Sequence, residues 1–356
     1  MTLPLSLTGL LTDNGKNPLL VEPITQGLIH KTFHIQMGAD QYLLQTINTN
    51  VFNNPIGLIR NHQKLHQHFL SQSNPFPHPL PCPLPFPNHD WIFVDEQQSS
   101  WRITTYIDKT YTRTSIESPA QAVALAHFFA KFTQHASNLS TDDWHIPIPR
   151  FHDLRHRYEQ FQEAIRSDSS KRKQRCLSLI QELNQRAAYV RFYDALNEDP
   201  SFLVRMMHHD AKLSNVLIEA SSDAWLCPVD LDTVMPGYFF SDLGDMIRSI
   251  CNGSAQEDNP PEDVTFRSDL FESLLTGYAE GLRDSLTTKE NEYLPLSGIL
   301  MTYMQSLRFM NDHLNGDAYY RIDRTGQNLD RARNQFTLLK EMENYLQKTG
   351  RAWLLN

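Results

Sequence analysis

The chain has 356 residues, more than one compact core normally holds, and its 40% apolar content can fill two lobes or domains. Its formal charge of −9 argues against a nucleic-acid partner, which needs a basic surface, and leans towards a cationic or neutral small ligand. Four cysteines, Cys82, Cys176, Cys227 and Cys251, stand far apart without CxxC spacing. That pattern gives neither a zinc site nor a disulfide framework, so a reducing cytoplasm is the expected location. No Lys or Arg precedes the apolar start Met1 to Leu7, so no secretory signal is expected. No apolar run approaches the roughly 18 residues of a membrane span.

The first hundred residues read as strands. Leu19 to Thr25, Thr32 to Met37 and Gln41 to Ile47 are rich in β-branched and apolar side chains, punctuated by Gln26-Gly27 and Gly38-Ala39-Asp40. A helix is expected from Ile56 to about Leu70, and two more strands at Trp91 to Val94 and Trp101 to Tyr106. Between them Pro75, Pro77, Pro79, Pro81, Pro83, Pro85 and Pro87 alternate with Phe76, His78, Leu80, Cys82, Leu84 and Phe86. Alternating prolines strip the N–H donors from one edge of an extended chain, so this segment reads as a protected sheet edge. A proline-rich recognition ligand is the alternative.

From residue 119 the helical period takes over. Ser118-Pro119-Ala120-Gln121 reads as a capping-box start, and Leu125, Phe128, Phe129 and Phe132 recur at core spacing. Further helices are expected around 153–166, 173–187, 266–283, 288–313 and 328–348. Thr287 and Glu290 cap the helix at 288–313, Pro295 threatens to kink it, and Gly350 stops the last. The basic run Lys171 to Arg175 reads as a solvated helix face. The plan is α+β: a β-rich lobe over 1–106 and a helical lobe over 107–356.

The chemistry concentrates in two stretches, Met207 to Ile218 and Leu226 to Asp232. Two short apolar strands joined by the polar turn Ser221-Ser222-Asp223 form a hairpin. Asn215 precedes its first strand, Asp230 follows its second, and Asp210 stands on the preceding loop. Phosphoryl transfer needs such a set. Magnesium takes oxygen ligands, which Asn215 and Asp230 can supply. A carboxylate must accept the acceptor hydroxyl's proton, which suits Asp210. Lys212 can neutralise charge on the transferred group.

His208-x-Asp210-x-Lys212-x-x-Asn215, followed by Asp230, resembles the catalytic loop and metal aspartate of the protein-kinase-like superfamily. Within it the chain is most similar to the aminoglycoside phosphotransferase and choline-kinase-like branch, and there to N-acetylhexosamine 1-kinase-like proteins. Tyr42 to Phe52, His209 to Val216, Val229 to Gly237, Asp242 to Asp245 and Arg308 to Tyr319 carry that resemblance, which runs from about Thr25 to Tyr345. It implies a bilobal kinase fold that uses ATP and Mg2+ to phosphorylate the anomeric hydroxyl of an amino sugar. Asp210 would act as base beside Lys212. Asn215 and Asp230 would hold the metal, with Asp232 reaching a second metal or a metal-bound water. Arg308 and Tyr319 would bind the sugar, and Asp242 would tie down the catalytic loop.

The nucleotide side departs from the wider pattern. Gln45 stands where kinases carry a strand lysine, and Asn61 is its nearest helix partner, so an amide pair replaces an ion pair. Charge on the phosphates is then left to magnesium, Lys212 and His30 or Lys31. The phosphate-covering loop Thr25 to Thr32 has one glycine, Gly27, and Tyr106 sits where a hinge would meet the adenine. Two alternatives stand beside the sugar kinase: a kinase for another small hydroxyl, such as an aminoglycoside or a choline-like alcohol, and a pseudokinase acting as a binding module.

Overall fold

The computed structural model describes residues 3–12, 18–24, 29–254 and 256–355. Their contacts form two compact units. The first gathers Met1–Thr112, Asn138–Pro149 and Asn215–Met235; the second gathers Arg113–Ser137, Arg150–Ser214 and Pro236–Asn356.

The first unit is built on an antiparallel sheet of β1 (Pro18–Ile24), β2 (Thr32–Met37), β3 (Asp40–Ile47), β4 (Pro83–Leu84), β5 (Phe93–Val94) and β6 (Ser100–Thr105). Its order is β1-β2-β3-β6-β4, with β5 also on β6. Register pairs Phe33 with Leu44, Leu44 with Ile103 and Ile103 with Leu84, so one face carries an apolar row. Leu7 and Leu11, from an N-terminal helix Leu5–Thr12 that the sequence did not announce, bury against it with Trp101 and Phe86. Alternation then sends Thr32, Gln45 and Arg102, paired across the same strands, to the opposite face.

The alternating-proline segment does end at a sheet edge. Only Pro83–Leu84 forms a strand, and Cys82 exchanges bonds with Thr105. Phe76, Leu80 and Phe86 are buried while Pro75, Pro77, Pro79 and Pro85 are exposed, so the apolar partners of the prolines serve the core. The hairpin Val216–Glu219/Trp225–Pro228 forms as expected and adds the strand Thr110–Tyr111 along Glu219 and Ile218. That pairing carries the first unit past the division expected after residue 106. Trp144 binds it too, donating from Nε1 to the Val234 carbonyl oxygen at 3.1 Å.

The second unit is helical. Pro119–His135 packs against Ser268–Gly281, and Leu296–Leu314 runs through the middle, against Phe240–Ile250, Leu154–Ser167 and Gln327–Lys348. Leu125, Phe128, Phe129 and Phe132 are buried as their spacing predicts. Ser118 caps the first of these helices, but Gln121 reaches back to the Glu117 N–H at 2.8 Å, one residue short of a capping box. The box at Thr287 and Glu290 is complete. Pro295 does more than kink: one helix ends at Tyr293 and the next begins at Leu296. The expected helix over 173–187 is a short 3-10 turn followed by Leu177–Gln185, and a further helix, Ala188–Glu198, follows it. Within the basic run, Arg172 pairs with Asp317 and so is not simply solvated. All four cysteines are free thiols, and no helix among the described residues is long and apolar enough to cross a membrane.

Candidate active site

In the first unit the hairpin brings Asn215 and Asp230 to its open end, where the Val229 N–H donates to the Asn215 carbonyl oxygen at 2.9 Å. Asp230 is exposed and sits at φ +60°, the left-handed region, which turns the chain out of the strand. Its carboxylate and those of Asp232 and His30's ring nitrogen lie within 4.8 Å of one another. An exposed carboxylate beside an asparagine, both offering oxygen, fits magnesium.

Asp232 is different: it is 1% exposed and surrounded by bases. Arg102, 2% exposed, donates Nη1 to Oδ1 at 2.5 Å and Nη2 to Oδ2 at 2.7 Å. His30 Nε2 donates to Oδ2 at 2.8 Å, and His62 Nε2 stands 3.1 Å from Oδ1. Burial works against ionisation of Asp232, but the Arg102 charge and these bonds outweigh it and hold the carboxyl well below the usual range. His30 Nδ1 accepts from the Asn48 N–H at 3.2 Å, so the ring's proton lies on Nε2.

The Gln45–Asn61 amide pair does not form. Gln45 donates to Thr32 Oγ1 at 3.1 Å and accepts from Arg102 Nε at 3.0 Å. Asn61 instead exchanges bonds with the His145 backbone, at 2.6 and 3.1 Å. The positive charge absent from Gln45 is thus present one strand over, directly across the ladder. Tyr106 stacks on His34, with ring centroids 4.1 Å apart. Gly27 lies outside the described residues.

In the second unit the loop from His208 to Lys212 is fixed from below. Asp242, fully buried at the start of Phe240–Ile250, accepts the His208 N–H at 2.9 Å and the His209 N–H at 2.7 Å. Burial pushes its carboxyl up to about 7 against those two bonds. His208 is a packed core ring, edge-on to Phe129 and Phe132, and its Nδ1 accepts the Asp210 N–H at 3.3 Å. Asp210 and Lys212 emerge partly exposed, Nζ to Oδ1 2.5 Å. Burial opposes the lysine's charge, yet Asp210 and then Asp245 raise its pKa. Gly237 leaves room for the loop: a Cβ there would meet the His209 ring at 2.5 Å.

Beyond His209 lies an aromatic and cationic cluster. His209 Nδ1 is 3.2 Å from His152 Nδ1, and His152 stacks on Phe151 at 4.5 Å. Arg308 lies over the Phe151 ring at 5.0 Å and the Tyr320 ring at 5.6 Å. Tyr320, rather than Tyr319, therefore adjoins Arg308; Tyr319 is 57% exposed and meets the edge of Tyr320. Asp312 sets this loop by accepting both tyrosines' N–H groups, at 2.8 and 2.9 Å.

Sequence reading missed Arg102, His62, His152 and Arg157. Arg102 had a signal, a charge inside the apolar strand Trp101-Arg102-Ile103. The histidines had none, since their partners lie far off in sequence.

This architecture is that of kinase-like phosphotransferases. It matches the microcompartment-associated aminopropanol kinase with a TM-score of 0.59 at 13% identity, over 96% of this chain and 95% of that one. It matches choline kinase from Cryptosporidium parvum Iowa II with a TM-score of 0.57 at 14% identity, over 95% and 93%. It matches spectinomycin phosphotransferase, solved with ADP and spectinomycin, with a TM-score of 0.53 at 13% identity, over 96% and 99%. At these identities the likeness is one of fold. The phosphotransferase enzyme family model matches residues 21–281, and the chain belongs to that family.

Proposed function

We propose that this phosphotransferase moves the γ-phosphoryl group of ATP to a sugar hydroxyl, the anomeric hydroxyl of an N-acetylhexosamine. The observation that carries the reading is the loop pinned by Asp242, which presents a partly exposed Asp210–Lys212 pair. Asp210 accepts the proton of the attacking hydroxyl and orients its oxygen. Lys212, held as a cation by Asp210 and Asp245, can turn to the transferred group as its charge develops.

Asn215 and Asp230 hold magnesium, and when bound the ion would neutralise the phosphate oxygens of the nucleotide. Both oxygens of Asp232 are engaged by Arg102 and His30, so it supports the metal segment from behind and reaches at most a metal-bound water. Gln45, Gly27, His30 and Tyr106 belong to the nucleotide side, and Arg308 and the Tyr319–Tyr320 pair to the acceptor side. The intact set Asp210, Lys212, Asn215 and Asp230 weakens the pseudokinase alternative, since a non-catalytic scaffold has no need of a metal site.

The test is incubation with Mg-ATP and a panel of free sugars, choline and aminoglycosides, following ADP release and product mass. A phosphorylated N-acetylhexosamine without a reducing end supports the reading. Turnover of choline or an aminoglycoside alone replaces the acceptor, and no ADP release together with no stabilisation by Mg-ATP favours a binding module.

A further inference from the structure

The chain is acidic overall, yet the cluster beside His209 is basic. Arg157, on the helix Leu154–Ser167, and Arg308, on Leu296–Leu314, meet at one residue, Phe151. Arg308 covers its ring at 5.0 Å, and Arg157 donates Nε and Nη2 to its carbonyl oxygen at 3.1 and 2.9 Å. Their other bonds go to neutral amides: Arg157 to Gln160 at 2.9 Å and Arg308 to Gln305 at 3.0 Å. Among the described residues neither guanidinium has a carboxylate within ion-pair distance.

Nearby acids are already committed. Asp153, one turn before Arg157, pairs with Arg150 at 2.7 Å and caps its own helix. Asp312 accepts two backbone N–H groups and the Asn328 amide. Asp317 is held by Arg172 and Asn328. Burial, then Arg308, pushes Arg157 down to about 10. Burial, then His209, then the same two arginines hold His152 well below its usual range. Crowded, partly buried cations without a counter-ion are costly to keep in a fold. A ligand anion removes that cost: the Nε–Nη2 edge of Arg157 is spent on Phe151 and one Nη1 hydrogen on Gln160, which leaves one hydrogen on each Nη for a carboxylate oxygen.

We infer that the acceptor carries an acidic group, a carboxylate, bound by Arg157 and Arg308, with Arg157 a specificity-determining residue that the sequence did not reveal. The cluster joins the catalytic loop through the contact of His152 with His209. Cationic acceptors meet two like charges there. This inference rests on the proposed phosphoryl transfer and narrows its sugar to an acidic one.

One sugar frame in three charge states tests it, with Mg-ATP and the full chain: N-acetylmuramic acid, N-acetylglucosamine and glucosamine. The expected kcat/KM order is acid above neutral by about tenfold or more, with the amine lowest. Arg157→Gln is expected to shrink the acid-to-neutral ratio about tenfold and leave the KM for ATP in place. An amine that matches the acid, or a ratio unmoved in Arg157→Gln, overturns the inference. A raised KM for ATP instead would assign the arginines to the donor's phosphates and overturn it equally. Should Arg157→Gln fail to fold, the wild-type series and Arg157→Lys, which should keep the preference, decide. Should no sugar release ADP, the sugar-kinase reading falls on its own, and binding decides. A melting temperature raised by the acid, not the amine, and only with Arg157 intact sustains the inference; no rise ends it.

Discussion

Arg102 and Asp232, 130 positions apart, form a two-pronged ion pair of 2.5 and 2.7 Å in which both residues are almost wholly buried. Breaking it from one side leaves a buried charge uncompensated. Arg102→Met is therefore expected to cost about 3–5 kcal/mol, and Arg102→Met with Asp232→Leu to recover much of that. Urea unfolding of the variants measures both. Because the Asp232 carboxyl is depressed in the folded chain, its contribution is present above the ordinary aspartate range and lost as pH falls through the folded value. That acid limb should be missing in the double variant.

Asp230 and Asp232 are two residues apart but should answer substitution in opposite ways. Asp230 is exposed and Asp232 buried. Asp230→Ala is expected to remove magnesium-dependent nucleotide binding with little change in melting temperature. Asp232→Ala should lower the melting temperature by several degrees, because it strands Arg102. Calorimetric nucleotide titration with and without magnesium, beside a thermal scan, separates the two. Normal Mg-nucleotide binding by Asp230→Ala would remove it from the metal site.

Asp210→Asn is expected to cut turnover by at least ~10²-fold, the scale of a lost general base. The carboxylate is partly exposed, so the melting temperature should hold. ADP release under saturating substrates is the readout, and unchanged turnover would take the base role away from Asp210.

Asp242 sets a pH dependence of its own. Its carboxyl is pushed up to about 7, first by burial and against the His208 and His209 N–H groups. Between roughly pH 4, the ordinary value, and 7 the folded chain holds a proton that the unfolded chain releases. Its stabilising share is thus full below the lower value and lost as pH rises to the upper one. Asp242→Asn cannot titrate, so the fall in melting temperature from pH 5 to pH 8 should be smaller in the variant than in the wild type. Equal falls would mean that Asp242 is ionised throughout.

Gly277→Ala tests the pairing of Pro119–His135 with Ser268–Gly281. A Cβ at Gly277 would stand 2.2 Å from the Val123 carbonyl oxygen, and backbone cannot swing aside. The expected loss is about 1–3 kcal/mol, read by urea unfolding; an unchanged midpoint would show that the helices can part freely.

By itself the sequence determined what depends on neighbours in the chain. β-Branched and apolar runs at Thr32 to Met37 and Gln41 to Ile47, bounded by turn residues, set strands, and Thr287 with Glu290 set a helix start. The spacing from Asp210 to Asn215 and Asp230 set the hairpin and the family, because a hairpin is closed by its own turn. The helix Ala188–Glu198 was also legible, in the apolar spacing of Tyr189, Tyr193 and Leu196. What tertiary structure alone decided is which charges meet. Gln45 was expected to seek Asn61 and turned to Arg102, because strand register put Arg102 across from it and Asn61 found the His145 backbone. Arg157 and Arg308 became neighbours only when the helices Leu154–Ser167 and Leu296–Leu314 packed together and both arginines reached Phe151. Local periodicity fixes which face a side chain takes, whereas a charge's partner is chosen by whatever the folded chain delivers within reach after water has been excluded.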